Sequence, residues 1–346
     1  MQVVILAGGL GTRLWPKSRL KKPKQLQALV SQESMIQNTI RRVLPLASKK
    51  KIYIATNQSQ LEALKKEVPQ VTNFIVEPTL RNTGPAIGLA AVSLPEQNEP
   101  AAFLPSDHYI ADEEGFRETM KLAAQVAERD YLVLIGLRPT DPDSGLGYIK
   151  IKKELFEKGN QPVYQVERFI EKPDQKTAQR FLLSDQYLWN AGMFVARPSL
   201  ILQLFQKHAP QIYQRLRKIQ KEPNRLKEEY QKMEEISFDY AVVEKTKQLA
   251  VVAGDFSWSD IGNWARLLEI LSKKVNANVV IGCEHYGVET DGCLIHGTER
   301  LVATVGLKDI IVVDTPDVVL VCHKDKAHDV KKIVDQLKKE NKEQYL

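Results

Sequence analysis

The amino-acid sequence predicts an α/β protein with a mostly parallel sheet that is covered by helices on both faces. Two observations support this fold class. Over roughly the first 135 residues, short apolar runs alternate with segments of helical periodicity. The first run, residues 3–7, is apolar without interruption, as expected of a strand buried on both faces. Ligands of such sheets bind beyond the carboxyl ends of the strands, so the segments that follow the strands are candidates for function.

The β-α units of this first part follow one another along the chain. Asn57 is predicted to cap the helix that carries Leu61, Leu64 and Val68, because asparagine readily accepts hydrogen bonds from free backbone N–H groups. The predicted strands are residues 3–7, 52–55, 74–76, 101–104 and 131–135, and the predicted helices begin at Ser34 and after Asn57 and lie near residues 85–94 and 114–128.

The pattern of predicted strands and helices changes twice in the later part of the chain. From about residue 140 to about residue 265, strands at 164–169 and 193–196 alternate with helices rich in Lys, Gln and Glu, which predicts a substrate-binding insertion continuous with the sheet. Short strands at 301–305, 310–313 and 318–321 then predict a small β unit. A basic helix with Val330, Ile333, Val334 and Leu337 on one face closes the chain. We therefore predict two domains, residues 1–266 and 267–346.

Composition excludes several classes of protein. With 43% hydrophobic and 27% charged residues, the 346-residue chain is typical of globular proteins. The net charge of +6 is modest and gathers in residues 17–24 and near the end, which favours local anion binding over a nucleic-acid partner. The sequence contains no apolar run of the roughly 18 residues that a membrane helix needs. Residues 1–15 form a strand-like run and a glycine cluster, so we do not expect them to act as a secretion signal. The three cysteines suggest neither disulfides nor a metal motif, so we expect a cytoplasmic protein.

A glycine-rich loop directly after the first strand is the strongest local pattern. Gly8, Gly9 and Gly11 allow the backbone to approach a ligand closely, and Arg13 and Lys24 follow. A dinucleotide fingerprint would need glycine where Leu14 stands, which argues against a nicotinamide oxidoreductase, and a Walker-type loop would need Gly-Lys followed by Ser or Thr. The loop is therefore predicted to hold a polyanion such as a nucleoside triphosphate. The alternative is a tight turn with solvated cations.

Six sequence blocks resemble the sugar-1-phosphate nucleotidylyltransferases, and among them the mannose-1-phosphate guanylyltransferases. Their order along the chain is that of the family. The blocks are Leu6-Ala7-Gly8-Gly9-Leu10-Gly11-Thr12-Arg13-Leu14-Trp15-Pro16, Glu77-Pro78 with Arg81-Asn82-Thr83-Gly84-Pro85-Ala86, Leu104-Pro105-Ser106-Asp107-His108, Phe169-Ile170-Glu171-Lys172-Pro173, Trp189-Asn190-Ala191-Gly192-Met193-Phe194 and Trp258-Ser259-Asp260-Ile261-Gly262-Asn263-Trp264.

The resemblance implies a fold and a reaction. The fold is a Rossmann-like, GT-A-like nucleotidyltransferase domain over residues 1–266, followed by a β-helical cap with a terminal helix over 267–346. The reaction converts GTP and mannose 1-phosphate to GDP-mannose and diphosphate, by in-line attack on the α-phosphorus with the assistance of Mg²⁺. A homodimer is expected. No Ser-His-Asp or reactive-Cys pattern accompanies the blocks, so we expect direct displacement without a covalent enzyme intermediate.

The resemblance also implies the roles of individual residues. Arg13, Lys24 and Lys172 are the catalytic cations, and Asp107 and Asp260 are the metal ligands. The sugar phosphate is expected to contact Gly145, Glu171, Lys172, Asn190 and Gly192. The nucleotide is expected to contact Leu6, Ala7, Gly8, Gly9, Gly11, Thr12, Arg13, Lys24, Glu77, Arg81, Asn82, Ser106 and Asp107, with Glu77 and Asn82 facing the base and Arg81 facing the base, ribose or phosphate.

Each of these assignments has a structural alternative. Asp260 resembles a helix N-cap, and Glu171 with Lys172 resembles an ordinary ion pair that opens a helix at residues 174–183. His108 is expected to be structural, because neighbouring strand residues point to opposite faces. Two functional alternatives also stay open: a transferase that uses UTP or ATP with glucose 1-phosphate, and a non-catalytic sugar-nucleotide sensor. The cations and carboxylates in the blocks argue against a sensor.

Overall fold

The computed structural model describes residues 1–9, 11–158, 161–272, 274 and 276–346. Leu10 of the glycine-rich loop lies outside the described residues. The strands are β1 (Gln2–Leu6), β2 (Ile52–Asn57), β3 (Asn73–Glu77), β4 (Ala101–Pro105), β5 (Tyr109–Ile110), β6 (Leu132–Leu137), β7 (Tyr148–Lys158), β8 (Gln161–Ile170), β9 (Tyr187–Ala196), β10 (Leu249–Gly254), β11 (Trp258–Ser259), β12 (Val279–Ile281), β13 (His285–Val288), β14 (Leu294–His296), β15 (Val302–Val305), β16 (Ile310–Asp314) and β17 (Val319–His323).

The helices match the predicted helices closely over the first part of the chain. None of the described helices combines the length with the apolar character that crossing a bilayer requires. The helices are α1 (Met35–Val43), α2 (Leu61–Glu67), α3 (Thr83–Ser93), α4 (Glu113–Ala127), α5 (Gln175–Leu182), α6 (Pro198–His208), α7 (Pro210–Lys221), α8 (Leu226–Gln231), α9 (Phe238–Ala241), α10 (Trp264–Leu271) and α11 (Val330–Lys339).

The chain forms two compact units. The first comprises Met1–Gly8, Ile40–Ser106 and Ile110–Ser257, and the second comprises Gly9–Thr39, Asp107–Tyr109 and Trp258–Leu346. The second unit therefore contains two short segments from the first third of the sequence, including most of the glycine-rich loop and its cationic continuation.

A nine-stranded sheet organises the first unit, in the order β3-β2-β1-β4-β9-β6-β10-β8-β7. The ladder from β3 through β2 and β1 to β4 is parallel, and so is the pairing of β6 with β10. Between β4 and β6, β9 runs antiparallel to both. The strand order reverses beside β1, where sheets of this type bind their ligands. Leu6–Gly8, Glu77 and Ser106 lie at the carboxyl ends of β1, β3 and β4.

The predicted fold class is confirmed, and three details of the prediction need correction. Strands β7 and β10 were not predicted. The first residues of β7 pair with both β8 and β9, but the remainder of β7 pairs with β8 alone and is mostly polar. Strand β10 is the short apolar run LAVVAG. Asn57 ends β2 and does not cap α2: its Oδ1 accepts from the N–H groups of Ser59 and Gln60, and Gln60 is the residue before the helix.

The second unit contains the predicted small β structure. Parallel strands β12, β14 and β16 continue into antiparallel β17, and β13 pairs in parallel with β15. The core packs these strands against α10, α11 and the segment around Trp15. Trp264 Nε1 donates to the Trp15 carbonyl oxygen at 2.9 Å. On α11, Val330 and Val334 are buried as predicted, but Ile333 is 40% exposed, so the buried face is narrower than expected.

Candidate active site

The glycine-rich loop begins at the carboxyl end of the central strand. The Ala7 N–H donates to the Ala55 carbonyl oxygen at 2.7 Å, and the Ala7 carbonyl oxygen accepts from Thr56 Oγ1 at 2.9 Å. The Ser106 N–H donates to the Leu6 carbonyl oxygen at 3.1 Å. These hydrogen bonds, two between backbone groups and one from a side-chain hydroxyl, fix the start of the loop, as a site that must place N–H groups around an anion requires.

Gly11 makes room for Lys24. Its φ is 63°, in the left-handed region that favours glycine, and a Cβ atom there would lie only 2.4 Å from Lys24 Cβ. Lys24 follows Pro23 at the start of a 3₁₀ turn (Lys24–Leu26) and is only 5% exposed. Gly11 and Lys24 therefore pack directly against each other within the second unit.

Lys24 joins the two predicted metal ligands. Its Nζ donates to Asp107 Oδ2 at 2.7 Å and to the backbone carbonyl oxygen of Asp260. Burial is the largest single effect and works to raise the pKa of the Asp107 carboxyl, but the charges of Lys24 and His108 and the hydrogen bonds that the carboxyl accepts together lower the pKa below its usual range. Asp107 is thus held ionised at neutral pH. The structure brings Lys24, Asp107 and the Asp260 backbone together within one unit.

Asp260 lies in a tight turn of its own. Its Oδ1 accepts from the Gly262 N–H at 3.1 Å, and Ile261 between them has a φ of 43°. The N-cap of α10 is Asn263, whose Oδ1 accepts from the Arg266 N–H, so Asp260 does not cap this helix. This backbone conformation is strained for a β-branched residue such as Ile261. Because strain of this kind persists only where the surrounding structure imposes it, the fold fixes the position of Asp260.

The chemistry of these side chains fits a magnesium ion. Among the described residues, no group of three or more His, Cys, Asp or Glu side chains forms a complete metal cage. Mg²⁺ is usually bound by only one or two carboxylates, while water and substrate phosphates supply its other ligands. Asp107 and Asp260 provide that kind of hard oxygen donor.

Arg13 and His108 have contrasting surroundings. Arg13 lies in a 3₁₀ turn (Thr12–Leu14) that directly follows Gly11, is exposed, and makes no ion pair or side-chain hydrogen bond with other described residues. It is available to a ligand. The His108 Nδ1 accepts from Trp258 Nε1 at 3.1 Å, and the two rings meet edge to face. These contacts support the structural role expected of His108.

Glu77 is a buried carboxyl at the end of β3. It is 3% exposed, its Oε2 accepts from the Tyr230 hydroxyl at 2.6 Å, and its Oε1 lies 3.4 Å from where a Cβ of Gly8 would be. Burial raises the pKa of Glu77 to about 7, although the hydrogen bond from Tyr230 works in the opposite direction. This carboxyl therefore faces the start of the glycine-rich loop and gains or loses a proton near neutral pH.

Asn82 and Arg81, the other two predicted nucleotide contacts of this block, make hydrogen bonds within the protein. Asn82, with a φ of 67°, caps α3 by accepting from the Thr83 N–H at 2.8 Å. Arg81 donates through Nη2 to the backbone carbonyl oxygen of Gln231. These contacts account for both side chains without a ligand, and a direct role in nucleotide binding stays a prediction.

A second group of residues in the first unit, around Glu171 and Asn190, contains most of the residues predicted to bind the sugar phosphate. Gly147 is in contact with this group: a Cβ there would lie 2.7 Å from Glu171 Oε2 and 3.4 Å from Asn190 Cβ. The Asn190 N–H donates to the Gly147 carbonyl oxygen, and Asn190 Oδ1 accepts from the N–H of Gly192, whose φ is 65°. Gly145 lies in an exposed turn closed by Asp143.

Lys172 and Glu171 form a close pair beside this group. Lys172 Nζ lies 2.6 Å from Glu171 Oε1, with the lysine side chain 57% exposed and the glutamate side chain 9% exposed. Burial is the largest single effect and works to lower the pKa of Lys172, but the hydrogen bond and charge of Glu171, together with Asp239 and Tyr240, raise the pKa. The pair does not cap α5, whose N-cap is Asp174, and Lys172 is strained at a φ of 45°.

Two residues near these groups were missed by sequence reasoning. Tyr230, fully buried on α8, donates to Glu77, and Asp239 on α9 accepts from Asn190 Nδ2 at 3.2 Å. Neither lies in a glycine-rich turn or directly after a strand. The only local indication was the polar stretch around Ser237-Phe238-Asp239-Tyr240, which resembles an ordinary helix start because Ser237 caps α9.

Comparison with known proteins agrees with this picture. The family model for nucleotidyl transferase matches residues 2–276, which include the glycine-rich turn and the buried lysine against an aspartate, so the protein is a nucleotidyltransferase. A model of the mannose-phosphate isomerase/GMP-like β-helix domain matches residues 283–337. The chain belongs to the mannose-1-phosphate guanylyltransferase family, and it is an enzyme.

Individual relatives cover nearly the whole chain. Mannose-1-phosphate guanylyltransferase from Salmonella montevideo is 39% identical over 99% of this chain and 75% of its own length. The protein of that name from Escherichia coli K12 is 36% identical over 99% of this chain and 74% of its own length. The crystal structure of mannose-1-phosphate geranyltransferase from Thermus thermophilus superposes with a TM-score of 0.92 at 32% identity, covering 97% of this chain and 99% of that one.

Proposed function

We propose that this enzyme transfers the guanylyl group of GTP to α-D-mannose 1-phosphate, forming GDP-mannose and diphosphate. The observation that carries the proposal is Lys24, a buried ammonium packed on Gly11 and bonded to both Asp107 and the Asp260 backbone. A buried cation beside a glycine loop suits the charge that develops on a departing diphosphate. The names of the relatives from Salmonella and Escherichia coli support the choice of substrates.

On the nucleotide side, the glycine-rich loop is proposed to direct backbone N–H groups at the phosphates. Lys24 and the exposed Arg13 neutralise the β- and γ-phosphate oxygens as the bond to the α-phosphorus breaks. Glu77 is proposed to contact the base. Guanine presents N1–H and N2–H₂ donors on one edge, and a carboxylate accepts both.

On the sugar side, Lys172 is proposed to hold the phosphate of mannose 1-phosphate, and Glu171 accepts from a sugar hydroxyl. A phosphate oxygen of the sugar attacks the α-phosphorus in line, and diphosphate leaves. Both reactants are anions, so most of the catalytic effect comes from positioning and charge neutralisation. No side chain of the enzyme needs to become covalently bonded.

Asp107 and Asp260 are proposed to hold Mg²⁺. The ion, when bound, supplies charge neutralisation at the α-phosphate and helps to orient it. Lys24 holds Asp107 in its ionised form, which is the form that binds a metal.

A panel of nucleotides and sugar phosphates tests the proposed function. Diphosphate release is measured with GTP, UTP and ATP, each combined with mannose 1-phosphate and with glucose 1-phosphate. We expect the highest kcat/KM for GTP with mannose 1-phosphate. Preference for UTP or ATP with glucose 1-phosphate would contradict the base assignment, and binding of GDP-mannose without any turnover would identify a sensor.

We further propose a cytoplasmic homodimer. Cytoplasmic location follows from the proposed substrates. The outer face of the β13–β15 pair exposes Tyr286, Val288 and Val305 to 64%, 60% and 72%, and exposed apolar side chains of this kind mark association surfaces. Sedimentation equilibrium of the protein and of Val288→Lys tests this proposal, and an unmodified protein that stays monomeric would contradict it.

A further inference from the structure

Asp239 is held in place by a well-packed short helix. Its neighbour Phe238 is fully buried, contacts the Phe194 ring edge to face, and donates its N–H to Thr83 Oγ1 at 2.9 Å. The Asp239 Oδ1 accepts from Asn190 Nδ2 at 3.2 Å. The backbone N–H of Asp239 itself also donates to this carboxyl. Within the part of the chain that the structure describes, no other side chain donates to it. A carboxylate has about four lone-pair sites, so this half-buried group can still accept from a further donor.

The charges around Asp239 disfavour another anion. Glu171, Lys172 and Glu244 are the charged groups that act on it. Burial and the neighbouring Glu171 carboxylate raise the pKa of Asp239 to about 7, while Lys172 works in the opposite direction. The carboxyl groups of Glu171 and Asp239 repel a phosphate. Neutral hydroxyl groups, in contrast, can donate hydrogen bonds to these carboxyl groups and so offset the cost of burying them.

The absence of a side chain at Gly147 lets the backbone approach this group closely. Gly147 lies against Glu171 Oε2 and Asn190 Cβ, where any Cβ would intrude. Glu171 uses Oε1 for Lys172, so its Oε2 is also an acceptor atom. A hexose carries several adjacent hydroxyl groups, each able to donate one hydrogen bond. Acceptors on Glu171, Asn190 and Asp239 match such a polyol.

We propose that Asp239 is a further sugar-binding residue of this enzyme, whose Oδ2 accepts a hydrogen bond from one ring hydroxyl of the hexose 1-phosphate. Together with Glu171 it discriminates between hexoses that differ at that hydroxyl. The inference rests on the proposed function, because it names contacts within the proposed sugar site. Buried acceptors reject analogues that lack the matching donor, since the acceptor is then left unpaired.

The test is Asp239→Asn, with Glu244→Gln as the matched control. The asparagine keeps an acceptor for Asn190 but replaces Oδ2 by a donor. Glu244 is exposed and contributes only charge, so its variant reports a purely electrostatic effect. For Asp239→Asn we expect the KM for mannose 1-phosphate to rise at least tenfold and the KM for GTP to change less than twofold. For Glu244→Gln we expect both KM values to change less than twofold.

Deoxy sugars identify the hydroxyl. In the unmodified enzyme, we expect kcat/KM for one of the 2-, 3- and 4-deoxy mannose 1-phosphates to be at least tenfold lower than for mannose 1-phosphate, because that analogue lacks the hydroxyl that Asp239 binds. In Asp239→Asn that loss should shrink below threefold, while the losses for the other two analogues stay unchanged. A merely structural role would alter all analogues equally. If Asp239→Asn unfolds, Asp239→Ser, which removes both carboxylate oxygens without adding volume, is expected to give the same pattern.

Three outcomes would overturn the inference: an unchanged KM for the sugar phosphate, equal changes in the KM values of sugar and GTP, or uniform losses across the deoxy series. Failure of the proposed function looks different. If the unmodified enzyme prefers another sugar phosphate or nucleotide, the proposed reaction is wrong, and the same comparisons made with the preferred sugar phosphate still decide the role of Asp239.

Discussion

The ammonium group of Lys24 lies 2.7 Å from a carboxylate oxygen of Asp107, although 83 positions separate the two residues in the chain. The lysine is 5% exposed, so water screens this pair weakly. The same ammonium donates to the backbone of Asp260. One buried cation thus organises the groups proposed to handle phosphate and metal.

We predict that Lys24→Gln lowers kcat by roughly 100- to 1000-fold, because a positioned donor to developing charge is lost. The pKa of Asp107 is expected to rise at the same time, since the charge that lowers it is removed. Steady-state diphosphate release measures the first effect. Lys21→Gln, at an exposed position in the same basic segment, is the control and should stay within twofold. A Lys24→Gln enzyme within threefold of the unmodified rate would contradict the role.

Gly11→Ala is predicted to destabilise the protein, because a Cβ atom would lie 2.4 Å from Lys24 Cβ at a φ of 63°. We expect a loss of about 1–3 kcal/mol in the free energy of unfolding. Gly9→Ala is the matched comparison, since no atom lies within 4 Å of its Cβ position. Urea unfolding of both variants measures the difference, and equal stabilities would show that Gly11 is not needed for the packing of Lys24.

Asp260→Asn is predicted to lower turnover by orders of magnitude and to raise the Mg²⁺ concentration that gives half-maximal rate. The asparagine oxygen still accepts from the Gly262 N–H, so the turn should persist. Thermal unfolding checks the fold, and Mg²⁺ titration of the rate checks the metal role. Asp255→Asn, at an exposed position nearby in sequence, serves as the control. An unchanged rate at saturating Mg²⁺ would exclude Asp260 as a ligand.

Glu77 is predicted to make stability depend on pH. Its folded-state pKa of about 7 lies above the ordinary 4.5, so the folded state binds the proton more tightly than the unfolded chain does. The proton on Glu77 therefore stabilises the folded state fully below the ordinary pKa of 4.5. This stabilisation is lost as the pH rises through the folded-state pKa of about 7. Glu77→Gln should therefore raise the free energy of unfolding at alkaline pH by on the order of 1–3 kcal/mol, with little effect under acidic conditions.

Urea unfolding below and above neutral pH measures this dependence for Glu77→Gln. Glu114→Gln, at an exposed glutamate, is the control and should give the same difference at both pH values. A Glu77→Gln difference that does not depend on pH would show that Glu77 is already ionised in the folded protein.

Much of the candidate site was predictable because its residues occur in local patterns. Gly11, Lys24 and Asp107 were predicted from a loop, a proline-flanked lysine and the end of a strand, and the structure brings these three together. Tyr230 and Asp239 follow no such pattern. Tyr230 contacts Glu77 across 153 positions, and no spacing rule relates a helix residue to the end of a distant strand.

The structure also decided between the alternatives for single residues. Asp260 as a helix cap is excluded because Asn263 caps α10, and His108 receives a hydrogen bond from Trp258. Ile333 was expected to be buried and is exposed, because periodicity predicts which side of a helix is apolar but not how wide its partner surface is.

The sequence by itself determined the local chemistry: where the backbone must be glycine, which runs form strands and helices, and which charged residues follow strand ends. These properties depend on neighbours within a few positions. Only the tertiary structure decided that Lys24 bonds Asp107, that Glu77 is paired with Tyr230 and that Asp239 joins Asn190. Such contacts depend on strand order and on the packing of whole elements, and burial then sets the charge states of the groups that meet.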